Sequence, residues 1–192
     1  MNIELISQRC RLRYFSERDL SIFTQYRGVP SVARFQSWSS YSLEDAKHLY
    51  MTLTKTAFGE PGTWFQIAIA DKQNDSLLGD CALHFLDDDG QVEIGFTLAP
   101  EHQGKGLAKE AVSLLLDYVF TVMHKHRVIA LTDAENTPAK KLLRSLGFRQ
   151  EAYFLKNVFF KGKWSDECLF ACLESEWKAQ RAIQQSNSLY IR

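Results

Sequence analysis

Near the start of the chain apolar and polar residues alternate with a period of two. Cys10, Leu12 and Tyr14 fall on one side, Arg9, Arg11 and Arg13 on the other. That pattern predicts a first strand with one wet face within residues 3–14. The period then lengthens. Ser16-Glu17-Arg18-Asp19 reads as a capped helix start, with Leu20, Phe23 and Tyr26 as its buried stripe. A second start, Ser42-Leu43-Glu44-Asp45, leads into Ala46, Leu49, Tyr50 and Leu53. Between the two helices, residues 29–41 form a linker that carries Phe35-Gln36-Ser37-Trp38. Strands are then predicted over residues 64–70, 77–86 and 91–98. Gln73-Asn74-Asp75 supplies one polar turn between them and the DDDG run of residues 87–90 the other.

The longest helical period follows. Leu107, Ala111, Leu115, Tyr118 and Val122 recur three or four residues apart, and the preceding strand, with Phe96, Thr97 and Leu98, ends at Pro100. His124 and His126 close this helix, where positive charge suits the dipole. RVIALT, residues 127–132, reads as a buried strand. Thr137-Pro138 opens a helix with Leu142, Leu143 and Leu146 on its apolar face and Gly147 as its C-cap. Two last strands, over 148–154 and 166–173, join through Lys161-Gly162-Lys163, and a closing helix spans 174–185. The pattern is that of one domain, residues 1–185, with a frayed polar tail over 186–192.

Between the strand at 93–98 and the long helix lies Gln103-Gly104-Lys105-Gly106-Leu107-Ala108. A glycine-bearing turn at a helix start is a ready anion site. The first-turn N–H groups lack helical partners, the dipole is positive there, and glycine admits phosphate close to the backbone. The loop is no Walker A: Gly104-Lys105 is followed by Gly106, with no hydroxyl for magnesium. It is no dinucleotide fingerprint either, since Lys109 stands where the third glycine belongs. The pattern it does satisfy is Gln/Arg-x-x-Gly-x-Gly/Ala, through Gln103, Gly106 and Ala108. The plain alternative is a tight strand-to-helix turn without a ligand.

Composition narrows the classes. At 192 residues with 45% hydrophobic and 24% charged, the chain suits one well-cored domain. Lys+Arg and Asp+Glu are both 23, so no field draws it to nucleic acid or an anionic membrane. No apolar run approaches the ~20 residues that cross a bilayer, and the first residues lack a signal-peptide layout. Cys10, Cys81, Cys168 and Cys172 show no C-x-x-C spacing and read as reduced thiols of a cytoplasmic protein. Scattered histidines and a DDDG run without EF-hand spacing predict no metal.

Placed between its strand and its long helix, the Gln103–Gly106–Ala108 pattern resembles the acetyl-coenzyme A pyrophosphate loop of the GNAT N-acetyltransferases. The second half extends the likeness through Asn136, Ala139, Leu142 and the helix ending Leu146-Gly147-Phe148. The stretch LKNVFFKGKWSDECLFACL looks like the late hairpin of the branch that includes the ribosomal-protein N-terminal acetyltransferases. The resemblance covers nearly the whole chain, least strongly before Trp64. It implies an α/β (α+β) GNAT fold: a mixed, mostly antiparallel, twisted sheet of about seven strands flanked by helices. Two parallel strands in it, 93–98 and 128–132, splay into a slot for the coenzyme.

On the same basis acetyl-CoA is the implied cosubstrate. Backbone N–H groups of Gln103, Gly104, Lys105, Gly106, Leu107 and Ala108 would hold its pyrophosphate. Phe96, Thr97 and Leu98 would meet the pantetheine and polarise the thioester carbonyl. Asn136 and Ala139 would line the arm, Asn136 serving also as a helix cap. The reaction implied is direct acetyl transfer to a primary amine in a ternary complex, and the amine must lose its proton before it attacks.

Where many relatives place a Tyr to protonate the departing thiolate, this chain has Leu143. Where the ribosomal-protein branch uses Ser and Glu, the matched positions are Ala139 and Val158. Glu93 is then the candidate base, against the alternative of an ordinary strand carboxylate, and His84 on the neighbouring strand is the second. Trp38 either lines the acceptor groove or plugs the helix pair, whereas Phe35 is expected to pack. Three functions stay open: acetylation of a protein N-terminus, which the ribosomal-protein resemblance favours, acetylation of a small amine such as an aminoglycoside or polyamine, and coenzyme A sensing without turnover. The partners would be acetyl-CoA and an amine, without nucleic acid or membrane, in a monomer or a homodimer.

Overall fold

The computed structural model describes residues 3–87 and 90–189. Its spine is an eight-stranded sheet of β1 (Glu4–Ile6), β2 (Cys10–Tyr14), β3 (Trp64–Asp71), β4 (Leu77–Phe85), β5 (Gln91–Leu98), β6 (Arg127–Asp133), β7 (Arg149–Phe160) and β8 (Lys163–Leu173). The order is β1-β2-β3-β4-β5-β6-β8-β7, and every neighbouring pair is antiparallel except β5–β6. The helices are α1 (Leu20–Arg27), α2 (Pro30–Ala33), α3 (Leu43–Lys55), α4 (Leu107–Thr121), α5 (Thr137–Ser145) and α6 (Glu174–Leu189). This is the mixed, mostly antiparallel architecture with one parallel pair that the family resemblance implies.

Alternation along the central strands divides their side chains between two cores. Ile67, Leu83, Val92 and Ile94 pack with Ala111, Leu115 and Val119 of α4. On the opposite face Ala68 joins Leu20, Phe23 and Tyr26 of α1 and Ala46 of α3. The start of α3 is fixed by its cap: the Ser42 hydroxyl accepts from the Asp45 N–H at 3.1 Å, and Asp45 accepts from the Ser42 N–H at 2.8 Å.

Some boundaries differ from the sequence reading. Residues 3–14 form two strands, because the chain reverses where the Ser7 N–H donates to the Cys10 carbonyl at 2.9 Å. The sheet thereby gains an eighth strand. Helix α4 stops at Thr121, and His124 follows with φ 54°, so neither His124 nor His126 lies within the helix. Strand β6 is only half buried: Val128 and Ala130 are enclosed, while Leu131 is 41% exposed. Strands β7 and β8 are longer than predicted and run to a two-residue turn at Lys161-Gly162. The closing helix passes residue 185 and continues to Leu189; residues 190–192, and Asp88 and Asp89 of the DDDG turn, lie outside the described residues. No helix among the described residues is long and apolar enough to cross a membrane.

Candidate active site

The parallel pair opens almost as soon as it forms. Gln91, Val92 and Glu93 pair with Arg127, Val128 and Ile129; beyond them each strand follows its other neighbour, β5 along β4 and β6 along β8. The inner edge of β5 past Glu93 is therefore left without a strand partner. Two cavities meet at this gap, one on the α4 side and one on the α1–α3 side. Phe35, Gln36, Phe96, Thr97, Asn136 and Ala139 line both.

The α4-side cavity, about 560 Å³, reaches the N-terminus of α4 along Gln103, Gly104, Gly106, Leu107 and Ala108, with Leu98 on its strand side. Gly104 and Gly106 have φ of 71° and 77°, a left-handed conformation that side chains other than glycine rarely adopt. Gly106 is the N-cap residue of α4, and a Cβ built on Gly104 would meet nothing within 4 Å. The first-turn N–H groups of a 15-residue helix thus open onto free space. Gln103 steadies the loop by donating from Nε2 to the Leu98 carbonyl at 2.8 Å.

Arg9, in the β1–β2 turn, braces the loop from behind. Its Nη1 donates to the Lys105 carbonyl at 2.9 Å, its Nε to Glu110 Oε2 at 2.7 Å, and its backbone N–H to Glu110 Oε1 at 2.7 Å. Burial alone would raise the Glu110 carboxyl, but hydrogen bonds from Ser7 and Arg9 hold it below the ordinary value. Lys105, grouped with the phosphate loop by sequence, is exposed and does not line the cavity. Asn136 caps α5, its Oδ1 accepting from the Ala139 N–H at 3.2 Å, while also lining both cavities.

The second cavity, about 470 Å³, lies over the opposite sheet face, where Gln66, Asp80, Ala82, Gly95 and Thr97 form its floor. Trp38, Trp64 and Phe160 line its sides, with Glu93 at one end and Glu167 on β8. Glu93 and His84 are cross-strand partners, with Oε2 3.4 Å from Nδ1. The His84 ring stacks on Trp64, centroids 4.7 Å apart and 9° from parallel. Burial pushes the Glu93 carboxyl up; His84 partly offsets this, and Glu167 adds to it. His84 stands behind Glu93 and does not line the cavity.

Sequence reading passed over a buried polar cluster at this floor. Asp80 accepts hydrogen bonds from the Tyr26 hydroxyl and the Gln66 amide, and from Arg27 Nη2 at 3.1 Å. The Arg27 guanidinium lies 4.1 Å from the Phe23 ring centroid and 4.3 Å from that of Trp38. Burial opposes the Arg27 charge, but Asp80, with Tyr26 and Tyr41, more than restores it. The signal was present: Asp80 is an acid inside the otherwise apolar run LLGDCALHF, which demands a partner. Trp38 lines the second cavity and donates from Nε1 to the Arg27 carbonyl at 3.1 Å. Phe35 departs from expectation: it belongs to neither core and lies where the two cavities meet.

Leu143, Ala139 and Val158 all line the second cavity, with side chains that can donate no proton. Burial pushes the Cys81 thiol well up and that of Cys172 to about 11, which leaves both as thiols. Among the described residues no three His, Cys, Asp or Glu gather as a metal site.

Residues 9–149 match the family model of the acetyltransferase (GNAT) domain. The chain belongs to the GNAT family. It is an N-acetyltransferase, and acetyl-CoA is the acyl donor this family uses. An uncharacterized N-acetyltransferase, p20, from Bacillus licheniformis is 31% identical over 175 residues, covering 90% of this GNAT chain and 97% of the relative. Two half-length matches carry named acceptors. Spermidine N(1)-acetyltransferase of Vibrio cholerae is 33% identical over 45% of this chain and 50% of its own. The ribosomal protein uS5-alanine N-acetyltransferase of Escherichia coli is 32% identical over 46% and 45%. Among solved structures, a GNAT acetyltransferase from Bacillus anthracis superimposes with a TM-score of 0.81 at 26% identity, covering 90% of this chain and 99% of that one.

Proposed function

We propose that acetyl-CoA occupies the α4-side cavity, that a small primary amine enters the cavity opposite, and that the acetyl group passes between them at the gap between β5 and β6. The observation that carries this reading is the shared lining: one passage runs through the sheet, with free helix N–H groups at one end and a carboxylate at the other. Residues 103–108 fit a pyrophosphate because two left-handed glycines bare the backbone at a helix start. Lys105 adds a carbonyl anchor for Arg9 rather than a phosphate contact. Phe96, Thr97 and Leu98 offer the unpaired strand edge to the pantetheine and the thioester carbonyl, with Asn136 and Ala139 across the gap.

Glu93 is the base in this reading. Its raised carboxyl lies nearer the operating pH than an ordinary Glu, which favours proton transfer. It takes a proton from the ammonium, directly or through water, and His84 orients it from behind. The amine nitrogen then bonds to the thioester carbon, the C–S bond breaks as the nitrogen gives its remaining extra proton to solvent, and the thiolate takes a proton from water because Leu143 offers none. The chemistry rests mainly on placing amine and thioester together.

The acceptor reading rests on the cavity's lining. Glu93, Glu167 and Asp133 contribute carboxylates, Asp80 is already matched by Arg27, and Trp38, Trp64 and Phe160 supply aromatic surface. That combination suits a cationic small molecule with an apolar body. A protein N-terminus is the second reading, favoured by exposed Phe159 and Trp164 on the hairpin whose Val158 and Phe160 line the cavity. Thiol release from acetyl-CoA, measured with spermidine and with an alanine-initiated peptide, separates the two. Faster release with the peptide would reverse their ranking, and release with neither, in a protein that binds no acetyl-CoA, would sink the proposal.

A further inference from the structure

The linker at residues 29–41 crosses the junction of the two cavities, and one distant side chain holds it. Lys161, in the β7–β8 turn, donates from Nζ to the carbonyls of Ala33 and Trp38, each at 2.6 Å. These carbonyls bracket residues 34–38, the arch that carries Phe35 and Gln36 over the junction and Trp38 against the second cavity. The Ala33 carbonyl lies at the end of α2, where a cation is favoured. Across the arch, Arg34 pairs with Glu135 at 2.9 Å, beside Asn136.

The turn itself argues that the ammonium is wanted. Lys161 and Gly162 have φ of 48° and 81°, the two-residue hairpin geometry that favours Asn-Gly. A lysine is an awkward residue in a left-handed conformation, and no demand of the turn explains it. Position 161 also lies beyond residues 9–149, so the family match does not cover it.

We infer that Lys161 is a positioning residue: it fixes the arch of residues 34–38 and thereby shapes the wall that receives the amine. This rests on the proposed placement of the acceptor in the second cavity. Lys161→Gly keeps the turn and removes the ammonium, whereas Lys161→Arg keeps a cation. In Lys161→Gly, amide hydrogen exchange over residues 34–38 is expected to accelerate about tenfold, and the KM for the accepted amine to rise about fivefold. The KM for acetyl-CoA and kcat should stay within about twofold, with Lys161→Arg restoring most of the loss. Unchanged exchange and unchanged amine KM in Lys161→Gly would overturn the inference. So would equal rises in both KM values, which mark general loosening. If wild type acetylates neither spermidine nor the peptide, the acceptor placement fails and takes the kinetic claim with it; unchanged exchange would then overturn the hold of Lys161 as well.

Discussion

The two cavities that meet at the gap are built from different materials. About half of the α4-side lining comes from one stretch, residues 96–108, which supplies a strand edge, two glycines and the start of a helix; the rest lies within residues 31–36 and 136–142, with Lys109. The opposite one is drawn from many elements, α1, the linker, β3, β4, β5, β6, α5, β7 and β8, and brings charged and aromatic side chains such as Arg27, Trp38, Trp64 and Glu93 together. A backbone site depends on few residue identities and serves a ligand common to a family. A side-chain site can be refitted one residue at a time, so in the proposed reading the end that takes acetyl-CoA is generic and the end that takes the amine individual.

Substitutions can break that contrast, and the largest effect belongs to the side-chain half. Asp80→Ala leaves Arg27 buried without its carboxylate and strips a partner from Tyr26 and Gln66. It is expected to cost about 3–5 kcal/mol of stability in urea unfolding. A loss under ~1 kcal/mol would mean that water replaces the carboxylate and that the floor is less buried than it looks.

Next comes the backbone half. Gly106→Glu puts a carboxylate and a Cβ where φ is 77°. Acetyl-CoA binding by calorimetry should weaken at least about 100-fold, or ~2.7 kcal/mol, with the circular dichroism unchanged. Retained binding would place the pyrophosphate elsewhere.

Glu93→Gln sharpens the comparison because it should move activity and stability in opposite directions. Loss of the base should lower kcat about 100-fold near neutrality and remove the acid limb of the rate profile, which lies above the ordinary carboxylate range. For stability, a carboxyl raised by folding favours the protonated folded state. Its contribution is full below the ordinary value and is lost as pH rises through the raised one. Ionised Glu93 therefore weighs against the fold at neutral pH, and the variant should gain on wild type in thermal melts as pH rises across that window. A stability difference that ignores pH would contradict the assignment.

The smallest effect is expected behind the loop. Arg9→Gln removes the cation that ties Glu110 and Lys105 to the β1–β2 turn. Because Arg9 is half exposed, acetyl-CoA affinity should fall only about threefold, with the amine KM unmoved.

The same contrast explains what could be read in advance. Gly104, Gly106 and the period of α4 announce the loop because local geometry alone requires them, and Ser42 with Asp45 announces α3 for the same reason. Asp80 was visible as an acid in an apolar strand, yet Tyr26, Arg27 and Gln66 become its partners only when strand pairing brings α1 and β3 to it. Lys161 looked like a turn residue, and its link to Ala33 and Trp38 spans more than a hundred positions. The hairpin at Ser7 was missed because alternation on both arms looks like one continuous strand.

The parallel register also has a mechanical consequence. Among the described residues, three strand pairs, Gln91–Arg127 to Glu93–Ile129, join the leaf β1–β5 to the leaf β6–β8–β7 edge to edge. Beside them the Gly90 carbonyl accepts from the His126 and Arg127 N–H groups. The two leaves thus meet edge to edge over a short seam. One shared core, holding Leu83 and Val92 of one leaf and Val128 and Phe170 of the other, spans both, and a molecule lodged past the seam touches both. Under the proposed placement acetyl-CoA is such an occupant, so the molecule that feeds the reaction should also raise the protein's resistance to unfolding.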